Sequence, residues 1–432
     1  MQYVRMMLGA IVASLCLSTL AAAQAVGGAQ LSGTVRDSSG GAIPGAEVTV
    51  TKVDTGQTRT VFTEAAGSYS FPNLPVGPYQ LKVVLEGFKT YVRDGIVLQV
   101  SSNPTIDVTL GIGALAESVT VTAAATMTET KSTGVGQVID NLRVLEMPLN
   151  GRQATDLVFL SGMATAAPAA DLNTAKNYPT TTISVAGGLA NGMTYVMDGA
   201  THNDPFNNLN LPTLFPDALQ EFKVESSALP ARYGQHAAAA VNMVTKSGAN
   251  DFHGSGFDFI RNYHFNAQNA FATSTDSLER NQFGGTLGGP IVRNKAFFFG
   301  AYQGKVEKST PPTTINYVPT QAMLNGDFTA FASPACNSGR QIALKAPYAN
   351  NQISPAQFDK VALGFAKLMP ISTDPCGKVQ YGIPADNTEQ QALAKADFTM
   401  SQNQTVSTRL IFARYNRAAT YDGQNIMTTT QL

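Results

Sequence analysis

Residues 183–206 read ISVAGGLANGMTYVMDGATHNDPF, and residues 215–246 read FPDALQEFKVESSALPARYGQHAAAAVNMVTK. Two runs of strand composition, Thr194–Met197 and Ala239–Thr245, close on turn formers, Asp198-Gly199 and Lys246-Ser247-Gly248. Between them Pro216 takes a first-turn position with Asp217 behind it, which predicts a brief helix start over Pro216–Phe222. The stretch predicts a compact mixed α/β body and carries no catalytic constellation. From Phe252 onward the pattern changes to aromatic, alternating strands, and the functional reading turns on that change.

The chain has 432 residues, a formal net charge of -1 and only 14% charged residues, against about 25% in ordinary soluble domains. A near-neutral balance excludes nucleic acid as an expected partner. Residues 1–23 read as an export signal, with Arg5 as the positive start, Met6–Leu20 as the apolar run and Ala21-Ala22-Ala23 as the cleavage site. The run is shorter than the ~20 apolar residues of a spanning helix; an uncleaved anchor is the alternative. Cys16 follows Leu15, where a lipoprotein signal needs a small residue. Two cysteines remain, Cys336 and Cys376. A disulfide between them would close a loop of about 40 residues, worth about 4 kcal/mol on the chain-entropy model; two unpaired thiols fit the sequence equally well. No other segment is long and apolar enough for a transmembrane helix, so an exported chain of this kind is either soluble or a β-barrel.

Over residues 29–110 short strand candidates recur at Leu31–Val35, Glu47–Val53, Thr58–Thr63, Tyr69–Phe71, Tyr79–Leu85, Tyr91–Val92, Ile96–Val100 and Thr105–Leu110. Gly- and Pro-rich turns separate them, the rhythm of an all-β sandwich. Leu81, Val83 and Leu85 alternate with Gln80 and Lys82, so one face is buried. The phrase LSGTVRDSSGGAIPGAEVTVTKVDTGQTRTVFTEAAGSYSFPNLPVGPYQLKV resembles the carboxypeptidase regulatory-like domain, which implies a seven-stranded transthyretin-like β-sandwich without peptidase chemistry.

Residues 111–136 form a connector rich in Gly, Ala and Thr. Within it Glu117, Ser118, Val119, Thr120, Val121, Thr122 and Ala123 make an alternating β-branched run, suited to pairing with a partner's sheet edge. This run resembles the TonB box of outer-membrane receptors; the first strand of the following domain is an equal reading. Val138, Leu142 and Leu145 have helical spacing, Pro148 ends that run, and Gln153–Leu160 fits a second helix. Ala164–Pro179 reads as a loop. The motifs MPLNGR, VMDGATHNDPF, FPDALQEFKV and ARYGQHAAAAVNMVTKSG occur in the order and spacing of the plug domain of Oar-like TonB-dependent receptors. That resemblance assigns a mixed α/β plug over residues 137–247, with Asn150, Gly151, Arg152, Asp198, Gly199, Tyr233 and Gly234 as its motif residues.

Phe257 and Phe259 share one face against Asp258, and Asn281–Gly288 with Ala296–Gly304 suit a hairpin around Gly289–Lys295. Such alternation is the signature of a transmembrane barrel, and RNQFGGTLGGPIVRNKAFFFGAYQG is similar to the phrase that opens the barrel in the Oar-like family. Residues 306–395 are polar, hold both mature cysteines and suit a long outward loop. Lys395–Met400 and Val406–Tyr415 resume the alternation, with Leu410 and Phe412 on one face. The expectation over 248–432 is therefore the first strands of an incomplete transmembrane antiparallel β-barrel: roughly five strands cannot close where a plugged transporter takes about 22. On that reading the chain is either a fragment or a truncated reading frame, unable to transport as it stands.

None of His202, His236, His253 and His264 lies in a paired metal-ligand spacing, and there is no nucleophile elbow or phosphate-binding loop. No catalytic residue, metal or cofactor is expected. His202, near Asp198 and Asp204, reads as a turn residue of a polar loop. The resemblance implies a receptor or transporter in the outer membrane of a Gram-negative bacterium, its sandwich in the periplasm, passing a large ligand when TonB drives plug movement. It implies as partners TonB, the outer-membrane lipid, the barrel-assembly machinery and an unknown ligand, carbohydrate or protein. A secreted, non-enzymatic adhesion or carbohydrate-binding protein is the competing expectation.

Overall fold

The structure, a computed structural model, describes residues 27–113, 118–122, 134–167, 181–233, 238–268, 277–310, 314–417, 419–421 and 423–429. The export-signal segment, Glu117, Ala123, Gly234 and His236 lie outside those residues. The chain divides into two compact units: Met1–His253 with Leu287–Gly300 and Ala394–Leu410, and Gly254–Thr286 with Ala301–Leu393 and Ile411–Leu432.

The first unit begins with β1 (Ala29–Asp37), β2 (Glu47–Lys52), β3 (Thr58–Phe62), β4 (Ser68–Leu74), β5 (Gly77–Val84), β6 (Thr90–Leu98), β7 (Val108–Leu110) and β8 (Ser118–Thr122). They form two sheets, β4-β1-β7 and β3-β2-β5-β6-β8. Leu31, Val48, Phe71, Leu81 and Ile96 are buried in one core shared by both, each worth about 1.5–3 kcal/mol when fully removed from water. The Tyr69 hydroxyl donates to the Ile106 carbonyl at 2.6 Å across that core. Gly33 permits the approach: a Cβ there would stand 1.8 Å from the Ile106 oxygen. The two strand candidates at 91–92 and 96–100 are one strand, β6, with Gly95 at φ 76 and a shift in its register with β5.

The next layer is a mixed sheet built from β9 (Val135–Asp140), β12 (Met193–Met197), β13 (Ala200–Thr201), β14 (Leu219–Ser227) and β15 (Ala239–Thr245), in the order β13-β12-β15-β14-β9. A separate pair joins β10 (Ala164–Ala166) to β11 (Ile183–Val185). Every residue of β15 is buried, so AAVNMVT shows no alternation; a central strand covered on both faces needs none. Helix α1 (Asn141–Glu146) starts after Asp140, whose carboxylate accepts the Arg143 N–H. Val138, expected on a helix, therefore sits in β9. Gln153–Leu160 forms a 3-10 helix at Ala154–Ser161. The helix start at Pro216 lasts one turn, Pro216–Ala218, and Leu219–Phe222 continue as strand.

The third sheet has five long strands: β16 (His253–Asn262), β17 (Glu279–Val292), β18 (Ala296–Lys308), β21 (Asn387–Ser401) and β22 (Gln404–Arg417), in the order β16-β17-β18-β21-β22. The expected hairpin is present, but the strands run on to Val292 and from Ala296, which shortens the turn to Arg293–Lys295 with Asn294 at φ 62. The exposure pattern inverts that of a water-soluble sheet. Ile260, Met400, Leu410 and Phe412 are exposed, whereas Gln282, Gln303, Lys305, Glu389 and Gln391 are buried. Phe297 and Phe299 break the inversion by turning inward. No helix among the described residues is long and apolar enough to cross a membrane.

In the second unit, residues 314–386, within the stretch 306–395 that the sequence reads as a long loop, form a small subdomain. It contains β19 (Thr314–Tyr317) paired with β20 (Lys378–Tyr381), helix α2 (Gln321–Leu324) capped by Thr320 and helix α3 (Lys360–Ala366) capped by Asp359. Cys336 and Cys376 are joined by a disulfide.

Candidate functional site

The Asp198-Gly199 turn joins β12 to β13 with φ 47 and φ 84, the left-handed pair that Asp-Gly supplies most readily. The geometry leaves the Asp198 carboxylate free to act as a node. Its Oδ1 accepts the Thr245 N–H at 2.8 Å and its Oδ2 the Thr245 hydroxyl at 2.6 Å, which ties the turn to β15. Arg409 of β22 donates to Oδ2 at 2.5 Å and to the Met197 carbonyl at 2.9 Å. Lys395 of β21 stands 3.9 Å from Oδ1 and donates to the Thr245 hydroxyl at 3.1 Å. One partly buried carboxylate thus serves two cations from neighbouring strands, and the mixed sheet is held there by polar contacts.

The Asn150-Gly151-Arg152 turn carries Gly151 at φ 77 and Arg152 at φ 54. Arg152 forms an ion pair with Asp217, fixing this turn to the 3-10 turn at Pro216. Burial lowers the Arg152 pKa, and Asp217 opposes that effect. Tyr233 is buried against Val196 and Ala240.

A junction that sequence reasoning missed joins the two-sheet domain to the mixed sheet. The Val100 N–H donates to Glu221 Oε2 at 2.7 Å. Next to it Ser101, at φ 54, has its hydroxyl 3.3 Å from the Tyr233 hydroxyl and accepts from Asn242 Nδ2 at 3.1 Å. Glu221 is buried, and burial pushes its carboxyl up to about 7, against the lowering effects of the Val100 hydrogen bond and Lys223. The available signal was alternation of Glu221, Lys223 and Glu225 in a strand that also carries Phe222 and Val224; it marks a strand covered on both faces and names no partner.

Ser118–Thr122 form neither a free peptide nor the first strand of the mixed sheet. As β8 they lie parallel to β6, in a register running from Thr90↔Ser118 to Asp94↔Thr122. β8 is the end strand of its sheet, and β9 begins the mixed sheet.

His202 is buried, its Nε2 is 3.0 Å from the Pro212 carbonyl, and burial holds its pKa below the usual value. It belongs to a turn network with Asn203, which donates to the Met193 and Asn208 carbonyls. Among the described residues no group of three or more His, Cys, Asp and Glu could hold a metal. A cavity of about 550 Å³ is lined by Lys52, Asp54, Gln57, Asp198, Lys395 and Asp397, among others.

Residues 30–111 match the model of the carboxypeptidase regulatory-like domain, and residues 244–431 match that of an outer membrane beta barrel domain. With the sequence relationship below, these matches make the chain similar to TonB-dependent transporters of the outer membrane. The chain is 29% identical over 280 residues to the TonB-dependent transporter Oar of Myxococcus xanthus, covering 62% of this chain and 26% of that protein. It therefore spans about a quarter of that relative's length. Among solved structures, the outer membrane transporter YddB from Escherichia coli is 13% identical, with 66% of this chain and 34% of that chain covered and a TM-score of 0.41. The siderophore receptor PirA from Acinetobacter baumannii is also 13% identical, with 67% and 32% covered and a TM-score of 0.37.

Proposed function

We propose that this chain works as a TonB-dependent receptor or transporter in which residues 137–247 are the plug, residues from 248 onward contribute barrel strands, and residues 29–110 are a periplasmic interaction domain. The observation that carries the reading is the Asp198 node. A plug must be held in place yet be able to leave, and one carboxylate shared by Arg409 and Lys395 offers polar contacts that water can replace on release. The inverted exposure of the long strands supports the same reading, because lipid takes the place of water on their outer face. A large ligand binds from outside, TonB engages the strand around residues 117–123, and the resulting force displaces the plug. The barrel-assembly machinery would insert the strands.

The test is deletion of residues 117–123 in the full-length protein, with energised uptake and cross-linking to TonB as readouts. Loss of both, with unchanged outer-membrane abundance, is the expected result. Unchanged coupling would remove this strand from the mechanism.

A further inference from the structure

The two-sheet domain touches two other parts of the first unit at once. Toward the mixed sheet it meets Glu221 through the Val100 N–H and Asn242 through the Ser101 hydroxyl. Gly27, just ahead of β1, lies so near the Asp198-Gly199 turn that a Cβ on it would stand 2.6 Å from the Gly199 nitrogen. Toward the long strands the domain meets two turns. At the turn between β21 and β22, Arg59 Nε donates to the Gln402 carbonyl at 3.2 Å and Gln57 Nε2 to the Thr405 hydroxyl at 3.0 Å. The turn between β17 and β18 is reached through Asn250. Its N–H donates to the Asp54 carbonyl at 2.9 Å, its Nδ2 donates to Asn294 Oδ1 at 2.8 Å, and its Oδ1 accepts the Asn294 N–H at 2.9 Å.

The two sets of contacts differ in kind. The Glu221 bond is buried, whereas the side-chain bonds of Gln57, Arg59 and Asn250 are exposed. The middle of the joint is not packed. The cavity of about 550 Å³ lies there, walled by Lys52 and Asp54 from the two-sheet domain, Asp198 and Thr245 from the mixed sheet, and Lys395 and Asp397 from the long strands. A permanent interface has an apolar, close-packed centre; exposed hydrogen bonds around an open centre, which water can replace, suit a contact that separates. We propose that the two-sheet domain is a removable strap: docked at both places, it ties the mixed sheet to the turns of the long strands, and the mixed sheet moves only after the bonds at Gln57 and Arg59 let go. Because the bond at Glu221 is the buried one, the domain parts from the long strands first and travels with the mixed sheet. The inference rests on the receptor reading above for its use, since such a strap keeps a plug shut until the coupling force arrives.

The test uses full-length protein in detergent and reads the opening of the mixed sheet from hydrogen exchange at the β15 amides, Ala239–Thr245. Q57A/R59A removes the side-chain bonds to the turn between β21 and β22. Exchange in β15 is expected to quicken roughly tenfold, while the amides of Val48 and Leu81 in the core of the two-sheet domain stay as protected as in wild type. Exchange in β15 within roughly twofold of wild type, with that core intact, overturns the proposal. Arg59 also donates to the Pro72 carbonyl inside its own domain. Should the core lose protection, Q57C/T405C decides, bridged by a short bismaleimide. Cys336 and Cys376 are joined to each other and do not compete for the reagent. Bridging is expected to slow β15 exchange roughly tenfold against the unbridged pair, and equal exchange before and after bridging overturns the proposal. Deletion of residues 117–123 tests the receptor reading by a different readout, so either can fail without the other.

Discussion

Arg409 Nη1 lies 2.5 Å from Asp198 Oδ2, and both side chains are 19% exposed. Lys395, at 8%, faces the other oxygen of the same carboxylate. Removing the carboxylate leaves two cations partly buried without their counter-ion. Asp198→Asn is expected to destabilise by about 3 kcal/mol, as breaking a buried pair does. The combined Asp198→Asn and Arg409→Gln change is expected to cost less than the sum of the single changes. Thermal unfolding of the four proteins in one detergent measures this, and strict additivity would mean that the pair is not coupled.

Glu221 gives a pH dependence of defined sign. Its carboxyl is raised from the ordinary glutamate value of 4.5 to about 7 by burial in the folded protein, so the folded state holds a proton that the unfolded state releases. Stability from this group is fully present below pH 4.5 and is lost as pH rises through 7. The full effect is about 3 kcal/mol. Glu221→Gln keeps an oxygen for the Val100 N–H and cannot ionise. The variant is expected to match wild type near pH 4.5 and to exceed it at pH 8; parallel profiles over that range would contradict the assignment.

The Cys336–Cys376 disulfide staples the subdomain at residues 314–386. Replacing both cysteines by serine is expected to cost up to about 4 kcal/mol locally on the chain-entropy model. Limited proteolysis should then cut within 314–386 while the core around Leu31 and Phe71 stays resistant. Equal resistance with and without the disulfide would show that α2, α3 and the β19–β20 pair hold the subdomain by themselves.

Leu410 is 69% exposed. In water, arginine at such a position costs almost nothing; on a lipid-facing strand it costs about 2–4 kcal/mol near the bilayer midplane. Leu410→Arg is therefore expected to lower the recovery of folded protein from outer membranes. Normal recovery would place this face in contact with water.

The turns and two of the central strands were legible because their chemistry is local. Asp198-Gly199 needs positive φ at two successive positions, and few dipeptides supply it. Ala239–Thr245 and Met193–Met197 follow from composition. FPDALQEFKV was read too far as helix: Pro216 and Asp217 are real start signals, yet Phe222 and Val224 pack on the strands beside them, and tertiary pairing outweighs one turn of propensity. Val138, Leu142 and Leu145 have helical spacing by coincidence, for Val138 lies in β9 and Leu142 is exposed. The Glu221 junction was hidden because its partner is a backbone N–H separated from it by 121 positions. Asp198 was legible as a turn, and its cations were not: Arg409 lies 211 positions away and belongs to no motif.

The inverted exposure of the long strands also bears on the order in which the parts of the chain fold. The two-sheet domain has an apolar core of the kind that water drives together. The β16-β17-β18-β21-β22 sheet offers water its greasy side and hides Gln303, Lys305 and Glu389, so aqueous collapse would turn it inside out. On the proposed receptor reading the two-sheet domain would mature first, and the long strands would fold only where a bilayer receives them. On that order the hydrogen bonds that Gln57 makes to Thr405 and Arg59 to Gln402 would close last, once both parts are folded.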